Sequence, residues 1–154
     1  MLALQPNLIN YKMKKVMVLA VAMLTMAVAH AQKVKEADVP SEVKAAFAKK
    51  YPDVKAGGWV KEDGNYEVEF DYKKAEMTLV IDPKGTLLET ETEIKVSELP
   101  KTVLDYCASK YAGKKIKEAS RIEGSAGEVT YEAEIEKMDV LFDANGKFLK
   151  ESKD

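Results

Sequence analysis

Two rows of alternating carboxylates carry the most chemistry in this sequence. They are Glu67, Glu69 and Asp71 in "YEVEFDY" (66–72), and Glu132, Glu134 and Glu136 in "YEAEIEK" (131–137). Paired carboxylates can cleave glycosidic bonds, one as acid and the other as base or nucleophile. Several converging carboxylate oxygens can hold calcium. Both uses need convergence in a cleft or a ligating loop, whereas strict alternation spreads the acids along one face of a strand. The segments "DPKG" (82–85) and "DANG" (143–146) lack the Asp/Asn series of a calcium loop and read as hairpin turns. No metal site and no cofactor is expected, and the acidic rows read first as the wet side of a sheet.

Nucleophilic chemistry is limited by what surrounds the other reactive residues. The one histidine, His30, falls in "MKKVMVLAVAMLTMAVAHAQ" (13–32), which has two early lysines, an apolar run over 16–29, and small residues at Ala29 and Ala31. That is the layout of a secretory signal peptide over 1–31, cut before Gln32. The run falls short of the ~20 residues that span a bilayer, so no retained anchor is expected. Met13 suits a start better than Met1, which makes 1–12 a start-site extension. Once His30 is removed, no Ser–His or Cys–His pair and no histidine-ligated zinc site can form. Cys107 has no disulfide partner and falls on the apolar stripe of a helix, a core position. Losing Lys12, Lys14 and Lys15 from 24 basic residues leaves 21 against 26 acids, a net charge of −5. A chain so acidic suits neither nucleic acid nor anionic membrane surfaces.

The elements that position these residues are written twice. "VPSEVKAAFAKKY" (39–51) matches "LPKTVLDYCASKY" (99–111), and "VKAGGWVKE" (54–62) aligns with "IKEASRIEG" (116–124). "YEVEF" (66–70) then matches "YEAEI" (131–135), and "MTLVIDPKGTLLE" (77–89) matches "MDVLFDANGKFLK" (138–150). Four blocks in the same order indicate a tandem duplication, with a linker near "TEIKVSE" (92–98). Pro40 and Pro100 suit a first helical turn, with Asp38 or Ser97 as caps. Val43, Phe47 and Tyr51, like Val103, Cys107 and Tyr111, recur every four residues as one helical stripe. The remainder alternates with period two between Asp/Asn/Gly/Pro turns. The predicted fold is α+β: two tandem helix-plus-four-strand antiparallel units, over 32–95 and 96–154. A lone unit of ~60 residues is marginal, so the two are expected to pack as one two-lobed body.

The helix "VPSEVKAAFAKKYP", the strand "GGWVKEDG", "YEVEF" and the "DPKG" turn resemble the PepSY-like domains of exported bacterial proteins. These are similar to beta-lactamase inhibitor protein, whose fold repeats a helix-plus-four-strand unit. The resemblance spans the chain after residue 31, once per repeat. It implies a non-catalytic periplasmic or secreted binding module; in the inhibitor, the sheet surface contacts an enzyme.

For partner contact, Trp59 and Arg121 are the leading anchors, being residue types enriched at interface hot spots. If Val54, Gly58 and Val60 face inward, Trp59 faces outward. With Ile116 and Ile122 pointing inward in the second copy, Arg121 takes the matching outward place. Val80 and Leu141 share that outward parity. Alternatively, a bulge at Gly57–Gly58 flips the parity and sends Trp59 into the core. Glu67, Glu69, Glu132 and Glu134 supply the surrounding charge. The function expected is an exported protein- or peptide-binding module, inhibitor-like toward an envelope or secreted hydrolase. The competing reading is a periplasmic carrier of a small ligand or metal ion, with an apolar pocket between the lobes.

Overall fold

Each unit has one ten-residue helix that starts just after a proline, and in the first unit a short strand precedes it. A computed structural model describes residues 31–153, so the expected signal peptide lies outside the described residues save for Ala31. Helix α1 runs Ser41–Lys50 and α2 runs Lys101–Lys110. Pro40 and Pro100 sit one place ahead of the first turn, at the cap positions, with extended ψ of 145° and 142°. Neither Asp38 nor Ser97 caps a helix through its side chain; both belong to short 3-10 turns, Glu36–Asp38 and Val96–Glu98, that precede the prolines. Val43 and Phe47 on α1, and Val103 and Cys107 on α2, are the buried helical residues that the four-residue spacing predicts.

Among the described residues nine strands follow each other around these helices. They are β1 (Gln32–Val34), β2 (Gly58–Glu62), β3 (Asn65–Tyr72), β4 (Ala75–Ile81), β5 (Leu87–Glu93), β6 (Ile116–Gly124), β7 (Val129–Ile135), β8 (Met138–Asp143) and β9 (Phe148–Lys153). All pair antiparallel with their sequence neighbours, in one sheet of order β1 to β9. The fold is thus α+β, and the two lobes share a single sheet. Strand β5 bonds to β4 on one side and β6 on the other. Segment 92–98, read as a linker, therefore begins inside a central strand.

Both helices lie on the same side of the sheet. Register connects Phe70 to Met77, Met77 to Thr92, Thr92 to Arg121, Arg121 to Tyr131 and Tyr131 to Phe142, so these share one face. The first core gathers Val43, Phe47, Trp59, Val68, Phe70 and Leu79, and the second gathers Val103, Cys107, Ala119, Ala133, Val140 and Phe142.

Trp59 lies in the first core, which corrects the outward reading. It is 6% exposed and meets Phe47 edge-on, ring centroids 6.0 Å apart at 81°. The parity change comes just before it. Val54 and Ala56 pack against the core, yet Gly58 pairs with Glu69 on the opposite face. Gly57 donates to the Glu69 carbonyl at 2.7 Å, an approach so close that a Cβ there would stand 2.9 Å from that oxygen. The second lobe repeats the event as a register shift between Ile116 and Glu118. Ile116 packs inward and Ile122 is turned to the helix-free face, where it pairs with Glu91 and Thr130.

The lobes also correspond differently from the alignment over 54–62. Val54 bonds to Tyr51 and Lys114 to Tyr111, while Trp59 pairs with Val68 and Ala119 with Ala133. The equivalent of Trp59 is therefore Ala119, and Arg121 stands where Lys61 does. A slip of two residues preserves parity, which is why Trp59 and Arg121 do share a face, although it is the helix side.

The two "DxxG" turns tie sheet to helix. The Asp82 carboxylate accepts the N–H groups of Lys84 and Thr86 at 2.8 Å each, and Asp143 accepts those of Asn145 and Lys147 at 2.9 Å. Gly85 and Gly146 adopt φ of +84° and +78°, and each presses on the opening turn of its helix. A Cβ on Gly85 would stand 2.7 Å from the Glu42 carbonyl oxygen, and one on Gly146 would overlap Thr102.

Two outcomes follow. Gly85→Ala and Gly146→Ala should each cost at least about 1 kcal/mol in denaturant unfolding, through left-handed backbone and overlap. Trp59→Ala should cost about 3–5 kcal/mol as a cavity forms. Trp59→Phe should cost far less, because the indole Nε1 is buried without a hydrogen-bond partner and its loss leaves nothing unpaired.

Candidate functional site

The helix-free face is built by parity alone. Wherever one residue of β3 to β8 points into a core, its neighbour points to this face, and those neighbours are mostly acids. Glu67 pairs with Val80 and Val80 with Glu89; Glu69 pairs with Thr78 and Thr78 with Glu91. Glu118 stands directly opposite Glu134, and Glu134 opposite Asp139. Between the acids lie Val60, Val80, Ile122 and Leu141, all half-buried on the same side. Near the join of the lobes the surface dips into a basin of about 310 Å³ lined by Glu76, Thr78, Glu91, Glu93, Glu118 and Ser120.

Crowding shifts these acids upward. Burial, then repulsion from Glu62, Glu91, Glu69 and Glu89, pushes Glu67 up to about 7. Burial also raises Glu91, partly offset by a hydrogen bond to Ser120 and reinforced by Glu89. Glu118 is raised chiefly by the facing Glu134 charge, then by burial and Glu93; a hydrogen bond with Glu134 adds to it. Lys117 offers partial relief at 3.6 Å from Glu134. Opposed like charges destabilise a sheet by a few tenths to about 1 kcal/mol per pair. This face therefore costs the fold stability.

The expected site residues divide between two faces. Glu67 and Glu69 on β3 and Glu132 and Glu134 on β7 share the helix-free side, with three strands between the two pairs. Trp59 is in the core behind it, and Arg121 is on the helix side of β6, its Nη1 2.9 Å from Glu123. The structure does not unite the anchors with the acids. Glu89, Glu91, Glu93 and Glu118 belong to the same surface and were not singled out. The period-two acids of "LETETE" (88–93) carried the signal for three of them. Among the described residues no group of three or more His, Cys, Asp or Glu is placed to hold a metal ion. What the arrangement offers is acceptor oxygens interleaved with apolar patches, suited to ammonium and guanidinium groups of a partner.

The model of the beta-lactamase-inhibitor-like, PepSY-like family matches this chain twice, over residues 25–89 and 82–150. The chain belongs to that family. The two matches overlap across the "DPKG" turn and the start of β5, the strand that both lobes use. Solved structures give the same fold. A beta-lactamase-inhibitor-protein-like protein from Bacteroides fragilis is 26% identical, with TM-score 0.55 over 74% of this chain and 86% of that one. A protein described as periplasmic from Bacteroides eggerthii is 17% identical, with TM-score 0.65 over 75% and 88%. A member of a domain family of unknown function from Bacteroides uniformis is 19% identical, with TM-score 0.64 over 74% and 88%. No curated protein matches the sequence. Among the described residues no helix is long and apolar enough to cross a membrane.

The raised Glu67 fixes a pH dependence. A carboxyl that titrates near 7 when folded and near 4.5 when unfolded holds more protons in the folded state between those values. Stability contributed by its neutral form is full below about pH 4.5 and is lost as pH rises through about 7. Glu67→Gln should therefore raise the melting temperature at pH 8, and the gain should vanish at pH 4.5. Thermal melts of both proteins across that range check it.

Proposed function

We propose that this protein is an exported, non-catalytic binding module that captures a basic protein or peptide on the helix-free face of its sheet. One observation carries the reading: Glu67, Glu91 and Glu118 stand among other acids on one bare face, Glu118 directly opposite Glu134, and burial and mutual repulsion raise all three. A cationic partner would relieve that repulsion, and Val80, Ile122 and Leu141 would supply the dry contacts between the charges. Family membership supports a non-catalytic module, and the described location of the Bacteroides eggerthii protein supports the periplasm as its compartment. Strict alternation spreads the carboxylates in rows along the strands, the arrangement of a contact surface. Inhibition of an envelope or secreted hydrolase fits this surface where the hydrolase presents lysines or arginines.

The test is quantitative crosslinking in the bacterial envelope, comparing the native protein with a Glu67→Gln, Glu91→Gln, Glu118→Gln variant. Captured partners should be basic, and capture should fall about tenfold in the variant and in high salt. Capture that is unchanged by the three substitutions, or that selects acidic partners, contradicts the proposal.

A further inference from the structure

The opposite side of the sheet holds a second candidate site, in the trough that the two helices leave uncovered. Thr90, Thr92, Arg121 and Glu123 face the helices but belong to neither core. With Lys50, Tyr51 and Met77 they line a cleft of about 400 Å³, within the range of small-molecule sites. The Lys50 ammonium at the end of α1 reaches across to Thr90 Oγ1 at 3.0 Å. A second cavity of about 370 Å³, mainly apolar, lies along α1 between Ala46, Ile81 and Leu87. Lys50 and Leu87 line both it and the cleft, so the two are neighbours.

The chemistry at the junction is unlike the rest of the molecule. Arg121 is the sole arginine in a chain whose other basic residues are lysines. Arginine presents five N–H donors in a planar fork matched to a carboxylate. Glu123 takes Nη1, in an exposed pair of the kind worth little and readily exchanged. Arg121, Lys49 and Lys50 give this trough a net positive rim against Glu123, while the other face of the sheet is acidic. Leu87 and Ala46, both half-buried, then offer apolar surface leading away from the two cations that border the cleft.

We infer that this trough binds a small carboxylate bearing an apolar tail, of the fatty-acid type. The carboxylate meets Arg121, Lys50 and the hydroxyls of Thr90 and Thr92, and the tail lies along Leu87 and Ala46 beside α1. This site is separate from the acidic face, so either can fail without the other.

Decanoate, kept below its micelle concentration, is the probe. Calorimetry should give a binding heat for decanoate. Acetate, which lacks the tail, and decylamine, which reverses the charge, should bind at least tenfold more weakly. Arg121→Gln and Lys50→Gln should each weaken decanoate by about tenfold or more while leaving the melting temperature in place. Methyl resonances of Leu87, Ala46 and Met77 should shift, and those of Val80 and Leu141 on the other face should not. The inference is overturned if decanoate gives neither heat nor shifts, if decylamine binds equally well, or if both folded variants bind as the native protein does.

Discussion

Strand β5 is hydrogen-bonded on both edges, and every other placement depends on that continuous ladder. Thr92 pairs with Met77 of the first lobe and Arg121 of the second, so the inward parity of one lobe is carried into the next. Both helices must then cover the same side. The opposite parity, which carries the acids of β3, β5 and β7, is left bare along the length of the sheet. A flexible linker at that point would have let each lobe turn its acids independently. The ladder instead merges two modest acidic rows into one surface and opens a trough between the helices behind it.

The lobes are alike in backbone and unlike in filling. Phe47, Trp59 and Val68 of the first core correspond to Cys107, Ala119 and Ala133 of the second, all smaller. The second lobe compensates from the side: Tyr106 stacks on Phe148 at 5.3 Å and meets Phe142 edge-on at 5.4 Å. Aromatic pairs at such separations add stabilisation beyond buried area. The first core gathers Tyr51, Trp59 and Phe70 around Phe47 of its helix, whereas the second draws on rings at the last two strands. Duplication thus preserved the register more strictly than the packing.

Helices, turns and the direction of most strands were legible because each rests on a local rule: four-residue spacing, a proline, or an Asp–Gly turn. The facing of Trp59 stood between two readings: unbroken alternation sends it outward, whereas an extra residue at the glycine pair 57–58 inverts every later side chain, and the structure has the second. The same inversion at Lys117 put Arg121 on the helix side. The correspondence of Trp59 with Arg121 failed for a related reason: β6 and its following turn are longer than β2 and its turn, and a slip of two looks identical by parity. The end of strand β5 was hidden because glutamate is a poor strand former, and Thr92 and Glu93 read as the start of a linker until their partners on both sides are known.

The central claim is that the two sides of this sheet have different jobs, with recognition of basic partners confined to the side without helices. Titrating the methyl-labelled protein with a short oligolysine peptide tests this directly. The account predicts saturable, salt-sensitive shifts at Val60, Val80, Ile122 and Leu141, with Leu87, Met77 and the core residues Val43 and Leu79 unmoved. Shifts of equal size on the helix side, or none at Val80 and Ile122, would contradict it.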